Sequence, residues 1–494
     1  MLYNYIFLAF YFLILFLIGL VASRKVKGME DYYVGGKKLG FWVVAFSSRA
    51  TGSSAWILLG LTGMGAVFGV KAYWVALGTT SGVFVSWFLM AKKFKALTDK
   101  YNSITIPDFL VSRFNSKSNL LRTLSATALS VFVIIYVSAQ IDATGTAFES
   151  FLGWDYFIGA IVGFLIVVIY MYSGGFIAVV WSDLFQGVIM LSGLVLLPVG
   201  AFFMIGNFNE LQIGLREINP ALLNIWGDEG FTWINFFQAL GFFMIGLGYL
   251  GSPQLFIRFI SIKDEKEIDK GKWVSLSIQA IMNISAITIG IFGRYLLTTP
   301  EDQSLNILGP AGQNVLISLV DLVIPLASGL YIAAVLAAIM STIDSLLILA
   351  SSAVGRDFYQ KIFHPDLENQ QLAKLSKWIT LILALIALGM ALLVAWIVPG
   401  RTIFWFVIFG WSGLAASFCP VMILSIFWKD FTEKGAIAAM IVGFLGVPIF
   451  KFLIPEIPKI GIYFSKMSEL FPSFSVALFA GIIVSMWEIK KRKV

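Results

Sequence analysis

Residues 47–60 read SSRATGSSAWILLG, and the side chains in the first half are of the kind that hold a small hard cation or a polar solute. Ser47, Ser48, Thr51, Ser53 and Ser54 carry five hydroxyls, and Gly52 sits among them. Glycine costs about 1 kcal/mol against alanine inside a helix, so this is a place to unwind. Unwinding frees carbonyl oxygens, and carbonyl and hydroxyl oxygens are hard ligands that suit alkali and alkaline-earth cations. Small residues also serve close packing between helices, and on this stretch alone the two readings stand side by side. A second interruption, GLGYLGSP at 246–253, places Gly246, Gly248, Gly251 and Pro253 inside another apolar run. A third polar cluster is Met340-Ser341-Thr342-Ile343-Asp344-Ser345, and a fourth is Tyr136, Ser138, Gln140, Asp142 and Thr144.

The elements that must position these residues are membrane helices. The chain has 494 residues, 59% hydrophobic and only 13% charged, where soluble domains run to about 25% charged. Apolar runs of roughly 20 residues match the bilayer core, and they are continuous rather than alternating, which excludes barrel strands. Thirteen spans are predicted, at 4–23, 39–66, 72–91, 121–149, 155–173, 177–206, 232–256, 273–298, 319–352, 374–398, 402–427, 433–454 and 471–488. Arg24, Lys25 and Lys27 follow the first apolar run instead of preceding it, which predicts an uncleaved first helix with its N-terminus outside. With that orientation about 27 of the 35 Lys and Arg fall in cytoplasmic loops and the basic tail, as the positive-inside rule requires. The net charge of +7 is therefore a topology signal, and no nucleic-acid partner is expected. The single histidine, His364, and single cysteine, Cys419, leave no His-based metal or nucleophile site and no internal disulfide. Phosphate-binding and hydrolase motifs are absent from the sequence, so an enzyme is not expected.

Paired interruptions at matching places in two halves are the mark of transporters built from inverted repeats, with the solute between them. The second and seventh spans are five apart. This predicts an all-α polytopic fold with an inverted five-plus-five helix repeat. The segments are residues 1–38 (first helix and basic loop), 39–206 (first repeat, spans two to six), 207–231 (external loop), 232–427 (second repeat, spans seven to eleven) and 428–494 (two further helices and a basic tail). The polar third helices of the two halves, spans four and nine, fit that repeat.

At these residues the chain resembles the sodium:solute symporter family, and most of all its bacterial sodium/proline branch. The blocks that carry the resemblance are DYYVGGKKLG at 31–40, SSRATGSSAWILLGL at 47–61, SGGFIAVVWSDLFQG at 173–187, GLGYLGSPQLFIRF at 246–259 and AAIMSTIDSLLILASSAVGRDFY at 337–359. The resemblance implies a LeuT-like, alternating-access importer of a small organic solute, an amino acid such as proline, driven by one or two sodium ions. It implies sodium ligands at the backbone oxygens of Ala50, Ser53 and Ala338 and the hydroxyls of Ser341 and Thr342. A second cation site would use Asp183, Ser341, Asp344 and Ser345. Solute-lining positions would be Ser54, Ala55, Trp56, Tyr136 and Tyr249, and Gln140 in the same polar helix is grouped with them. Two departures bear on the solute: the proline branch carries an aspartate at the position of Gly52 and a glycine at that of Arg49. It also has a tryptophan where this chain has Ile245.

Arg49, Asp142, Asp183 and Asp344 all fall inside predicted spans, where a charge costs roughly 2.5–3.5 kcal/mol on insertion scales. Each is expected to have a partner. Arg49 is expected to pair with one of the aspartates, Asp142 among them, with Asp183 and Asp344 holding a cation. The competing readings are that Arg49 binds a solute carboxylate or reaches into a wet vestibule. The expected partners are a small-molecule solute and the lipid bilayer, with no obligate protein partner evident, in the plasma membrane of a prokaryote. The alternatives are a proton-coupled carrier, in which the aspartates would titrate, or a non-transporting sensor or channel on the same scaffold.

Overall fold

The computed structural model describes residues 2–26, 28–302 and 304–493. Lys27, part of the basic run after the first span, lies outside the described residues. The chain is helical almost throughout, because a bilayer offers no water to satisfy unpaired backbone groups. The helical segments are α1 (Leu2–Ser23), α2 (41–68), α3 (73–100), α4 (Leu120–Leu152), α5 (156–174), α6 (Gly175–Ile205), α7 (Trp233–Ser261), α8 (Glu265–Leu297), α9 (Pro325–Phe363), α10 (Gln371–Ile397), α11 (Ile403–Phe427), α12 (Glu433–Glu456) and α13 (Leu470–Lys493). They follow the sequence-predicted spans.

Counted as unbroken runs, eleven helices among the described residues are long and apolar enough to cross a membrane. One such run, Phe41–Lys100, has 60 residues. At 1.5 Å per residue it would extend about 90 Å, some three times the hydrocarbon thickness. It is divided at Gly69, whose φ of +57° and contact with the Leu222 backbone leave no room for a side chain. A 50-residue helix, Tyr156–Ile205, is likewise divided at Gly175, with φ +56° and ψ −160°. Polar side chains set where several helices begin. Asp155 accepts from the N–H groups of Phe157 and Ile158 ahead of α5, Thr232 from Asn235 N–H ahead of α7, and Asp264 from Glu267 N–H ahead of α8.

The layering is set by polarity. The most apolar stretch of α9 is wholly buried and that of α11 is 89% buried, whereas those of α1 and α12 are each only 28% buried. The helices that carry hydroxyls and carboxylates are central, and the helices that carry little else than leucine, isoleucine and phenylalanine face outward to lipid. At the end of α9 remote from Ser328, Arg356 donates to Asp108 at 3.1 Å and Asp357 accepts from Arg122 at 2.5 Å. Asp108 lies on the short helix Ile106–Phe114, outside the spans. Burial works against its charge, but Arg356 and Arg122 outweigh burial and hold its carboxyl below the ordinary range. These pairs fix the axial position of α9, and with it Ser341–Ser345.

Two helices that must carry the site meet through glycines. Added side chains at Gly78 and Gly82 of α3 would overlap the carbonyl oxygens of Phe243 and Gly246 on α7, and one at Gly246 would overlap that of Gly78. Close backbone approach of this kind replaces the hydrophobic drive that lipid removes. Gly78→Leu is therefore expected to destabilise the detergent-solubilised protein by roughly 1–3 kcal/mol, read as a lower Tm. An unchanged Tm would show that α3 and α7 do not meet there.

Candidate functional site

The stretch at 47–60 does unwind. Ser54 takes φ +43° and ψ −170°, a backbone conformation that breaks α2 about half-way along its length, and residues Trp56–Leu61 continue in a wider, π-helical turn. The groups freed by the break are taken up by side chains from other helices. Gln140 Oε1 of α4 accepts the N–H of Ala55 at 3.0 Å, and Tyr136 OH donates to Ser54 Oγ at 3.3 Å. Gly52 O accepts from Tyr249 OH at 3.2 Å and from Trp56 Nε1 at 3.1 Å. The second interruption behaves alike. Residues Ile245–Leu250 tighten into a 3-10 turn, Gly251 has φ +155°, and Pro253 starts the second half of α7. There the carbonyls of Ile245 and Gly248 accept from Trp411 Nε1 at 3.1 Å and Cys419 Sγ at 3.5 Å, both on α11.

The α2–α9 seam brings oxygens together. Thr342 Oγ1 stands 3.1 Å from Thr51 O and 3.0 Å from Ala338 O, and its single proton serves one of them at a time. Ser341 Oγ donates to Ala338 O at 3.1 Å, and Thr51 Oγ1 donates to Ser341 O at 3.2 Å. Ala50 and Ser53, one helical turn apart on either side of Thr51 in sequence, are also buried, with Ser53 O taking the N–H of Trp56. Carbonyl and hydroxyl oxygens alone, with no nitrogen or sulfur ligand, make a donor set suited to a hard cation.

Next to this seam lies a group that the sequence reading left out. Arg258, on α7, is fully buried. Its Nη2 reaches Asp183 Oδ2 at 2.9 Å, Ser345 Oγ at 2.6 Å and Thr51 Oγ1 at 2.6 Å, and its Nε reaches Ser47 Oγ at 2.8 Å. Nη1 binds the carbonyl of Gln254 on its own helix. One planar side chain thus ties α7 to α2, α6 and α9. Asp183 also accepts from Ser47 Oγ at 2.6 Å. Between two members of the expected second cation site, Asp183 and Ser345, stands the protein's own guanidinium. Ser341 and the fully buried Asp344 lie on α9 beside it. The predicted limit of the seventh span, 256, ended two residues short of Arg258.

The expected pairing of Arg49 with an aspartate is corrected. Arg49 Nη1 donates to Gln279 Oε1 of α8 at 2.6 Å, and its guanidinium lies 5.0 Å from the centre of the Tyr249 ring. Asp142 is ion-paired with Arg401 and accepts from Tyr156 OH at 2.5 Å, apart from Arg49 on the far stretch of α4. Arg401 lies just before α11, in a loop by the sequence reading, so the tally of one arginine against three aspartates was short by two cations. Arg49 is 2% exposed and does not reach a vestibule.

The rings close around the break. Tyr249 packs edge-on to Trp411 at 5.1 Å, Trp411 edge-on to Tyr136 at 6.5 Å, and Trp56 edge-on to Phe404 at 6.3 Å. Trp56, Tyr136 and Tyr249 are all buried, as are Ser53, Ser54 and Ala55. Trp411, Gln279 and Arg258 were absent from the sequence reading. Only Arg258 had a sequence signal, an arginine in the apolar run QLFIRFI.

Two broken helices meeting at a buried centre lined by hard oxygens are the arrangement that cation-coupled secondary transporters use. Comparison with known proteins makes the class particular. Residues 32–443 match the model of the sodium:solute symporter family. The chain is 34% identical over 481 residues to the osmoregulated proline transporter OpuE of Bacillus subtilis, covering 97% of this chain and 94% of the relative. It is 33% identical over 472 residues to the high-affinity proline transporter PutP of the same organism, covering 95% of each. It is 32% identical over 487 residues to a sodium/proline symporter of Staphylococcus aureus, covering 98% and 92%. Among solved structures, a sodium-coupled sialic acid symporter in a substrate-bound outward-open state superposes with a TM-score of 0.76 at 20% identity, over 98% of this chain and 97% of that one. The closed form of Mhp1, a nucleobase-cation-symport-1 transporter, gives 0.56 at 14% identity, over 92% and 94%. The chain belongs to the sodium:solute symporter family. It is a multi-pass membrane carrier of LeuT-like fold that uses sodium and a small solute, and it is not an enzyme.

Removing one partner of a buried ion pair costs roughly 3–5 kcal/mol, because the other charge is left uncompensated. Asp183→Asn and Arg258→Met are each expected to lower Tm by a loss in that range, and the double variant to lose less than the sum of the two. Additive losses in the double-mutant cycle would show that the pair is not coupled.

Proposed function

We propose that the protein imports a small amino-acid-type solute, with L-proline the first candidate, together with one sodium ion per cycle. The reading is carried by one observation: the Thr342 hydroxyl stands between two carbonyls, Thr51 O and Ala338 O, at the point where the broken α2 crosses α9. A sodium ion bound by the oxygens of Ala50, Ser53, Ala338, Ser341 and Thr342 would displace those hydrogen bonds and hold α2 and α9 in register. The solute would lie against the break, among Ser54, Ala55, Trp56, Tyr136, Gln140 and Tyr249. The count of one ion is supported by Arg258, whose charge fills the place between Asp183 and Ser345. The names of the bacterial relatives support proline. The repeats would be 39–206 and 232–427, all thirteen segments would cross a prokaryotic plasma membrane, and the basic loops and tail would lie inside.

In proteoliposomes, radiolabelled L-proline is expected to accumulate under an inward sodium gradient and not when potassium replaces sodium at fixed pH. Uptake driven by a proton gradient alone would overturn sodium coupling, and sodium-stabilised protein without proline uptake would overturn the solute. Thr342→Ala removes one ligand oxygen. At about 1.4 kcal/mol, that loss raises the sodium concentration for half-maximal uptake about tenfold. An unchanged sodium dependence would place the ion elsewhere.

A further inference from the structure

Arg49 is a buried cation with neutral partners only. It makes no ion pair among the described residues; its partners are Gln279 Oε1, Ser48 Oγ and the ring and hydroxyl of Tyr249. Two of the aspartates that could have neutralised it are held by other arginines, Asp183 by Arg258 and Asp142 by Arg401. Arg49 lies one helical turn before Gly52, where a Cβ would stand 3.3 Å from Tyr249 Cε1. The guanidinium, the Tyr249 ring and the backbone at Gly52 therefore share one corner of the broken stretch.

The amides beside the break are oriented in a telling way. Arginine and a backbone N–H only donate, so the oxygen of Gln279 must face Arg49 and the oxygen of Gln140 must face Ala55 N–H. Both amides use their acceptor on the protein and turn their NH2 groups elsewhere. Gln140 Nε2 is buried with no hydrogen-bond partner among the described residues, and so is Ser53 Oγ, which can also donate, while the Gln279 amide also lies against the Tyr249 hydroxyl. Unused donors on the same broken stretch as an unpaired cation suit an anionic group. A solute with no acceptor oxygen at that end would leave them unpaired.

We propose that Arg49, held in place by Gln279, binds the carboxylate of the transported solute, so that the solute class is small organic acids and amino acids with a free carboxylate. This rests on the symporter reading above. Arginine suits the role because its planar fork matches a carboxylate and it keeps its charge when buried. The carboxylate's negative charge also offsets the positive charges of Arg49 and sodium, which lowers the cost of holding them in a low-dielectric centre.

The test is thermal unfolding of the purified full-length protein, in sodium chloride and in potassium chloride, with paired probes: L-proline and L-prolinamide, lactate and lactamide, acetate and acetamide. In sodium, at least one carboxylate is expected to raise Tm while its amide does not. Arg49→Gln is expected to lose that rise and Arg49→Lys to keep part of it, both retaining the shift produced by sodium alone. The inference is overturned if an amide stabilises as well as its carboxylate, if Arg49→Gln keeps the rise, or if no carboxylate in the set shifts the wild-type protein. Should Arg49→Gln fail to fold, the probe pairs on the wild-type protein and on Arg49→Lys still decide. Failure of the symporter reading is visible separately, as a wild-type protein whose Tm does not respond to sodium.

Discussion

A backbone that leaves the helix inside a membrane must find every hydrogen bond it gives up from within the protein. The break at Ser54 imposes that demand, and the centre of the molecule is arranged to meet it. Tyr249 and Trp56 cover the carbonyl of Gly52, Gln140 covers the N–H of Ala55, and Thr342 covers the carbonyl of Thr51. These side chains come from three other helices besides α2 itself, so the break can form only when α4, α7 and α9 are already beside it. The interruption of α7 makes the same demand, and α11 answers it through Trp411 and Cys419. The polar residues of the core are there because the backbone is broken, and the broken backbone is there because intact helices expose no oxygen to a passing ion.

Charge is handled by a second rule. Two of the buried aspartates each face an arginine from another segment, and both pairs bridge residues far apart in the chain, 75 residues for Asp183 and Arg258 and 259 for Asp142 and Arg401. Arg258 is the more consequential, since its guanidinium donates to three hydroxyls as well as the carboxylate. Several of these contacts must be given up together if α7 moves against α2. Rings pack against the break as well: Phe404 lies against Gly60 and Trp56.

Much of this was legible in the sequence. The helices follow the apolar runs closely, and both interruptions fall where Gly, Ser and Pro cluster, because propensity and polarity agree there. The partners of the charges were not legible. Periodicity assigns a residue to a face of its own helix and says nothing about which helix will face it, so Arg49 was matched to aspartates that other arginines hold. Arg258 was passed over for a different reason. The seventh predicted span ends at 256, which puts Arg258 with the basic loop that follows, and a charge satisfied by a buried carboxylate looks the same in a sequence as one satisfied by water. Gln279 and Trp411 carry no mark at all, since a lone glutamine or tryptophan in an apolar helix is usually packing or a belt residue.

The central claim is that sodium binds at the α2–α9 seam and that Arg258 occupies the neighbouring place. Equilibrium binding of radiolabelled sodium to the purified protein, followed to saturation, tests it most directly. The account predicts one ion per chain; two ions per chain would contradict it, because the second would have to share Asp183 and Ser345 with a guanidinium that is already there.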